Sequence, residues 1–305
     1  RGDVVKTELA SQKPSGMTGL VMNTRRTPLD DIRVREALIL AFNFEFVSEA
    51  ITGGTQPRIQ SYFGNSILAM ESGPATGEDR ALLEGLGDLP TGAMEGYALP
   101  VSDGTERNRA NLRAAGRLLT EAGLAVENGR RLTPDGHPWE LTAVIPLGDV
   151  ETQTILDIYA NALERLGIGL RIERVDSAQY ATREARLDFD LAPFRRDLSL
   201  SPGNEQRLYW GSGEAGTDGT RNLMGVQSQA IDATIDTILS ARSREGFVAA
   251  VKALDRLLTA GRYVIPIWQF DVDRIAHVRQ LHHPGHIPIY GDRPGYLADF
   301  WWWEE

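Results

Sequence analysis

Residues 19–38 constrain the fold more than any other stretch, because an apolar strand there runs directly into a capped helix. Leu20, Val21 and Met22 predict a short buried strand, and Pro28 prevents its continuation. Asp30 is placed to accept the free amides of the first helical turn. The buried face of that helix is predicted to carry Val34, Ala37, Leu38, Ala41 and Phe42, which recur at helical spacing. We expect the helix to extend over about residues 30–50.

A second strand and helix pattern predicts a parallel β-α-β unit. Alternating apolar residues at 141–145 and 170–172 predict two strands, and the helix between them ends before Gly167. Further helices are predicted at about 78–86, 107–122, 231–239 and 247–258, and a hairpin around Asp135 and Gly136 at about 126–138. The fold class is therefore α/β, with helices covering a sheet.

Composition narrows the class of protein. The chain has 305 residues, of which 42% are hydrophobic, enough for one large domain or two modest ones. Its net charge of -10, with no run of Lys or Arg to offset it locally, argues against a nucleic-acid partner. The absence of cysteine excludes disulfides and thiolate metal sites, and no apolar stretch is long enough to predict membrane insertion.

Several short sequences resemble catalytic or cofactor motifs, but the residues around them do not fit those motifs. Residues 211–216 match a dinucleotide fingerprint, but a Thr-Asp-Gly-Thr turn follows where a helix is required. His282, His283 and His286 have no acidic partner at a recognisable metal-ligand spacing. Paired carboxylates at 30/31, 149/151 and 188/190 are better explained as helix caps or strand-edge charges. We therefore predict no cofactor, no metal and no enzymatic activity.

Several literal strings carry a resemblance to a known family. Besides residues 19–38, these are Ala-Phe-Asn-Phe-Glu-Phe at 41–46, Ser-Tyr-Phe-Gly-Asn-Ser at 61–66, Ser-Leu-Ser-Pro-Gly-Asn-Glu at 199–205, and Arg221 with Asn222. Together they resemble the extracellular solute-binding proteins of family 5, the receptors of bacterial ABC importers, and within them the Yej-type oligopeptide receptors. The resemblance implies the C-terminal lobe of a two-lobe periplasmic binding protein of type II, in the peptide-receptor cluster, with a mixed sheet flanked by helices.

This resemblance also implies a division of the chain. Residues 1–22 are expected to be a strand and hinge segment of an N-terminal lobe, 23–265 the C-terminal α/β lobe, and 266–305 the crossing back. The chain is then a fragment of a periplasmic protein whose signal peptide lies upstream. Tryptophans in the terminal segments, at 301–303, would lose their partners and be exposed or repacked.

The predicted ligand contacts follow the apolar strand that ends near Phe194, because crevices form at the carboxyl ends of strands in open α/β sheets. The wider family places after this strand an acid that pairs with the ligand's amino terminus, and Asp197, then Glu205, are the nearest acids here. An arginine suits a ligand carboxylate. The predicted contact residues are Arg195, Arg196, Asp197, Asn204, Glu205, Trp210 and Asn222.

Alternative roles remain open for these residues. Asp197 could form a salt bridge within the lobe, Trp210 could be core, and Asn222 could tie its own loop. Asn23, Arg25 and Trp268 are predicted to lie at the hinge rather than at the ligand.

The predicted function is capture of an oligopeptide or peptide-like solute in the periplasm and its delivery to an ABC permease with its ATPase, with half of the site in this chain. Extended peptides can be held through their backbone and termini without sequence preference. The alternatives are a receptor for an oligosaccharide or a metal chelate and, with no nucleophile or base to support it, a peptide hydrolase.

Overall fold

A computed structural model describes residues 3–270, 272–292 and 295–304. The predicted terminal segments include six residues that lie outside the described ones: Arg1, Gly2, Asp271, Arg293, Pro294 and Glu305. The strands are β1 (Val4–Ala10), β2 (Met17–Met22), β3 (Val126–Glu127), β4 (Arg130–Arg131), β5 (Glu140–Pro146), β6 (Gly169–Val175), β7 (Leu191–Arg196), β8 (Val264–Pro266), β9 (Val272–Val278), β10 (Leu281–His282) and β11 (Trp302–Trp303). The helices are α1 (Ile32–Ala41), α2 (Phe44–Thr52), α3 (Gly77–Glu84), α4 (Arg109–Glu121), α5 (Val150–Glu164), α6 (Ser177–Ala185), α7 (Glu205–Trp210), α8 (Gln229–Ser240), α9 (Arg244–Gly261) and α10 (Tyr296–Phe300).

A mixed five-stranded sheet in the order β6-β5-β7-β2-β8 forms the centre of the molecule. Strands β5 and β6 are parallel and joined through α5, which confirms the predicted β-α-β unit. Strand β7 is parallel to β5, whereas β2 is antiparallel to both β7 and β8. Two apolar cores, one containing Val21 and Leu254 and the other containing Leu20 and Leu163, pack against the sheet. The predicted α/β class with a mixed sheet flanked by helices is confirmed.

Strand β2 lies inside the sheet, although the predicted boundary put residues up to 22 in a terminal segment. Thr18 pairs with Arg195, and Leu20 pairs with Ile265, so β2 connects two strands that are distant in sequence. Gly19 permits this close pairing, since a Cβ there would lie 2.1 Å from the backbone oxygen of Ile265. The main sheet therefore begins at Met17 rather than after residue 22.

The two ends of the chain form a separate ribbon. Strand β1 pairs with β9, and β10 with β11, both antiparallel. A small core of Leu9, Tyr296 and Trp301 lies beneath them. Trp302 and Trp303 remain exposed, at 46% and 62%. That this ribbon belongs to another lobe stays a prediction.

Local differences from the predicted elements have identifiable causes. The helix predicted at 30–50 is divided into α1 and α2, because Phe42 adopts an extended conformation and Asn43 bonds outside the helix, to Ser102 and Thr105. Asp31 is the cap of α1, accepting from the amide of Arg33 at 2.8 Å, so the prediction of Asp30 as the cap was wrong.

The predicted hairpin also differs, because it contains two turns instead of one. A tight turn joins β3 to β4 across residues 128–129, and the turn at Asp135 and Gly136 closes a second, shorter bridge between Leu132 and Pro138.

Replacing Gly19 tests the central pairing. We expect Gly19→Ala to lower the free energy of unfolding by about 1–3 kcal/mol, because the added methyl group meets a backbone oxygen that a paired strand cannot move away. Chemical denaturation monitored by circular dichroism measures this. Gly213→Ala is the matched control: its Cβ would meet nothing within 4 Å, and its unfolding midpoint should not change. Equal stability of both variants would contradict the tight register of β2.

Candidate ligand-binding site at the end of strand β7

Strand β7 ends at two adjacent arginines that face opposite sides of the sheet. Arg195 lines a cleft of about 570 Å³ between the end of β7 and the terminal ribbon. Arg196 lines a smaller hollow of about 340 Å³ against α6 and the loop at 219–223, and Arg195 contributes to this hollow as well. Successive side chains of a strand point to opposite faces, so one strand end serves both hollows. The predicted location at a carboxyl strand end thus coincides with two concave surfaces.

The larger cleft presents charges of both signs. Arg195 Nε lies 3.2 Å from Asp197 Oδ1, and both side chains are exposed, at 64% and 78%. The guanidinium of Arg195 also sits 5.5 Å from the ring centre of Phe270. On the ribbon side, Lys13 Nζ lies 3.5 Å from Asp273 Oδ1. The Lys13–Asp273 pair is half-buried. An exposed ion pair such as Arg195–Asp197 contributes little to stability, so its charges are free to be exchanged for those of a solute.

Arg196 occupies a more enclosed environment. Its guanidinium lies 4.1 Å from the ring centre of Tyr209, and burial lowers its pKa. Its Nε is buried and has no hydrogen-bond partner among the described residues. Burial raises the pKa of the neighbouring Glu184, which Arg196 partly offsets. The free N–H of Arg196 can donate a hydrogen bond to a polar group that enters the hollow.

The wall of the larger cleft is held by the loop at 61–66. The Ser15 amide donates to the Gly64 carbonyl at 2.8 Å. Asn65 Nδ2 donates to the carbonyls of Ser11 and Lys13, at 3.0 and 3.2 Å. Gly16 then brings the chain against β7 with a φ of +69°, where a Cβ would lie 2.1 Å from the Arg196 oxygen. These contacts fix residues 13–16 beside the strand end.

That loop is itself anchored on a buried carboxylate that the sequence reasoning missed. Asp255 of α9 accepts from Ser61 Oγ at 2.5 Å, and from the amides of Tyr62 and Met70 at 2.8 and 2.9 Å. Burial raises the pKa of Asp255. The available signal was an acidic residue amid the apolar face of a strongly periodic helix, which requires buried partners.

Asn204 and Glu205 lie at the start of α7, outside the residues that line the two hollows. Asn204 is exposed. Glu205 Oε1 accepts from the Gly203 amide at 2.8 Å and from Gln206 Nε2 at 3.1 Å. Both carboxylate bonds are local to the helix start. A ligand contact for these two residues stays a prediction.

Trp210 and Asn222 are accounted for by contacts within the lobe. Trp210 is 1% exposed, donates to Gln206 Oε1 at 2.8 Å, and packs edge-on against Tyr62. Asn222 is fully buried: its amide nitrogen donates to the carbonyls of Gly211 and Val226, and its oxygen accepts from the Val226 amide at 2.9 Å. Ligand contact for these two side chains also stays a prediction.

Two of the predicted hinge residues form a network within the lobe. Asn23 Nδ2 donates to the carbonyls of Leu187 and Phe189 at 3.0 and 3.1 Å. Arg25 donates to the carbonyl of Asn222 at 2.6 Å, and also to those of Ala215 and Leu223. The network joins the end of β2 to the loops on either side of it. A hinge role for Asn23 and Arg25 stays a prediction.

Trp268, the third predicted hinge residue, follows β8 and is 4% exposed. Its indole donates to Glu151 Oε1 at 2.8 Å, and its ring packs 5.6 Å from that of Phe44. It therefore fixes the point where the chain leaves the main sheet for the ribbon, and a hinge role for it also stays a prediction.

The histidines at 282 and 283 pack against tryptophans, with ring centres 6.1 Å from Trp302 and 4.8 Å from Trp301 respectively. Over the described residues, no group of three or more His, Asp or Glu side chains is arranged to hold a metal ion. No helix in the same part of the chain has the length and apolar character needed to span a bilayer.

Comparisons with known proteins place these features in a wider context. The sequence model of the bacterial extracellular solute-binding proteins, family 5 Middle, matches residues 2–218. A peptidoglycan-binding protein, YepA, of Agrobacterium fabrum is 36% identical over 304 residues, which is 99% of this chain and 48% of the relative. An uncharacterized protein, YejA, of Escherichia coli K12 is 32% identical over 304 residues, 99% of this chain and 49% of the relative. The chain spans about half the length of the curated relatives it matches.

Several solved structures share the fold. The oligopeptide-binding protein AppA of Bacillus subtilis, in complex with a nonapeptide, superposes with a TM-score of 0.73 at 16% identity. The match covers 99% of this chain and 53% of AppA. At this identity the likeness concerns the fold.

Asn65→Asp tests how the cleft wall is held. The substitution keeps the size of the side chain but removes the NH₂ donor to Ser11 and Lys13. We expect the amides of Gln12 and Ser15, which donate to Ile289 and Gly64, to exchange about tenfold faster in hydrogen-exchange mass spectrometry. Asn204→Asp, at an exposed site, adds the same charge and should leave these amides unchanged. Unaltered exchange in Asn65→Asp would show that the wall is held by other contacts.

Proposed function

Because the chain belongs to the bacterial extracellular solute-binding proteins of family 5, and has the fold of the type II peptide-receptor cluster, we propose that it serves as the substrate-binding part of an ABC importer. Its solute is an oligopeptide or a peptide-like molecule, captured in the periplasm and passed to a permease with its ATPase. The names of YepA and AppA, which bind peptidoglycan and oligopeptide respectively, support this substrate class.

The observation that carries the proposal is the cleft beside the end of β7, with its two weak ion pairs. A peptide ends in an ammonium group and a carboxylate, and the cleft offers Asp197 to the first and Arg195 to the second. Arginine binds a carboxylate through two parallel hydrogen bonds. Breaking the exposed Arg195–Asp197 pair costs little, so both groups can turn to the solute.

The cleft supplies one side of an enclosure. The terminal ribbon of β1 and β9 leaves the main sheet after Trp268 and before Met17, and we propose that it leads to a second lobe that closes over the solute. Closure around such crossing segments is a common means of enclosing a ligand. Asn23, Arg25 and Trp268 form hydrogen bonds within the main lobe. These contacts support a role for the three residues on the fixed side of the hinge, with the ribbon as the part that moves.

Native mass spectrometry with a library of short peptides tests the substrate class. We expect the complete protein to retain intact peptides and the isolated chain of residues 1–305 to retain far less. The isolated chain makes about half of the contacts with the peptide, but the loss of translational and rotational freedom on binding is the same. Peptides returned cleaved would support a hydrolase instead. Retention of an oligosaccharide or a metal chelate in place of peptide would move the assignment to those solutes.

Charge-neutral variants of the cleft test the site itself. In the complete protein, we expect Arg195→Gln and Asp197→Asn each to weaken peptide binding by about tenfold or more, because each removes a hydrogen bond to a charged terminus. Titration calorimetry with a tetrapeptide measures this. Blocking the peptide's carboxyl group as an amide should abolish the effect of Arg195→Gln alone, and acetylating its amino group that of Asp197→Asn alone.

Exposed residues that do not line the cleft provide the controls. Arg242→Gln and Asp218→Asn change the net charge in the same way and should leave affinity unaltered. If the controls weaken binding as much as the cleft variants, net charge and not a local contact determines affinity. If neither cleft variant has an effect, the solute lies elsewhere, for example in the hollow beside Arg196.

A further inference from the structure

A second charged surface lies away from the cleft, between α4 and the end of α5. A hollow of about 530 Å³ is lined by Arg107, Arg109, Leu112, Arg113, Arg165 and Leu166. None of these residues lines the two hollows beside β7. The sequence contains no run of Lys or Arg to offset the net charge of -10 and so predicts no basic patch. The fold corrects this expectation, because it brings Arg165 from another helix next to the arginines of α4.

Three of these four guanidinium groups form no polar contact with the described residues. The side chains of Arg107, Arg109 and Arg113 are exposed and make no hydrogen bond or salt bridge with any residue the structure describes. Asp103 exerts only a longer-range attraction on Arg109. Arg165 is the exception, since it donates to the backbone and side-chain oxygens of Glu106 at 3.1 and 3.2 Å. The hollow therefore keeps an excess of positive charge.

The local backbone adds to this positive charge. Helix α4 begins at Arg109, its N-cap residue Asn108 makes no side-chain capping hydrogen bond, and its first turn contains no acidic residue. The positive end of a helix dipole, with its free amides, then points toward the same region as the arginines. Arg109 and Arg113 also repel each other, being one turn apart on the helix. A bound anion would pair with the free amides at the helix start and reduce the repulsion between Arg109 and Arg113.

We propose that this hollow binds a phosphate or pyrophosphate group. Guanidinium groups match phosphate oxygens through paired hydrogen bonds, and a doubly charged group with several oxygens can engage three free arginines at once. A single carboxylate offers two oxygens and one charge. Leu112 and Leu166 lie between the arginines and give the hollow an apolar floor.

Calorimetric titration of the chain with pyrophosphate tests the proposal. We expect saturable binding that weakens as salt is raised, because exposed charges are screened. Arg109→Gln combined with Arg113→Gln should weaken binding by about tenfold or more. Arg117→Gln is the matched control, one turn further along α4 and outside the hollow, and should bind like the unaltered chain. Circular dichroism confirms that each variant is folded.

The phosphate could be free or part of a lipid headgroup, and vesicles distinguish the two. Flotation with vesicles of phosphatidylglycerol, against vesicles of phosphatidylcholine alone, is run with the same variants. Pyrophosphate binding lost in the double variant supports a free phosphate, and vesicle binding lost in the same way supports a headgroup. No saturable binding to either probe, or equal weakening by Arg117→Gln, would overturn the proposal. Peptide binding in the double variant should be unchanged.

Discussion

The central position of β2 is the constraint on which the rest of the structure depends. Its pairing with β7 and β8 joins residues from the beginning, middle and end of the described chain into one sheet. Gly19 makes the spacing on the β8 side possible, and Gly16 makes possible the approach to the end of β7. Both arginines of the candidate site lie opposite β2 in this register. A shift of one residue would exchange the two faces of the strand and remove Arg195 and Arg196 from their present surroundings.

The position of the cleft wall depends on a chain of contacts that begins in the core. Asp255 holds Ser61, the loop holds Ser11, Lys13 and Ser15, and these residues face the end of β7. A buried carboxylate is costly unless it is fully hydrogen-bonded. Ser61 and Tyr62 of the loop donate to Asp255, and so does the amide of Met70 just beyond it. The loop is thereby tied to helix α9. A flexible wall would add an ordering cost to every binding event.

Local patterns predicted much of this fold. The parallel unit of β5, α5 and β6, and the helices α8 and α9, follow from periodicity within single segments. The strand before Asp197 and its concave surroundings were predicted from the rule for open sheets. The order of β2 in the sheet could not be predicted, because it depends on partners far along the chain. The contacts of Asp255 with Ser61 and Met70 span 194 and 185 residues, and the hollow between α4 and α5 likewise forms only after folding.

The arginines of this chain fall into two groups according to the partners that their side chains contact. Arg25, Arg35 and Arg131 donate to backbone carbonyls, which satisfies loop and helix ends that would otherwise be buried without a partner. Burial lowers the pKa of each of them. Arg195 instead has one exposed acid beside it, and Arg109 and Arg113 have no bonded partner among the described residues. A long side chain loses entropy when it is fixed. That entropy is lost where an arginine satisfies buried backbone carbonyls, as Arg25 does at 215–223, whereas the exposed side chains of Arg109 and Arg113 are not fixed by a bonded partner.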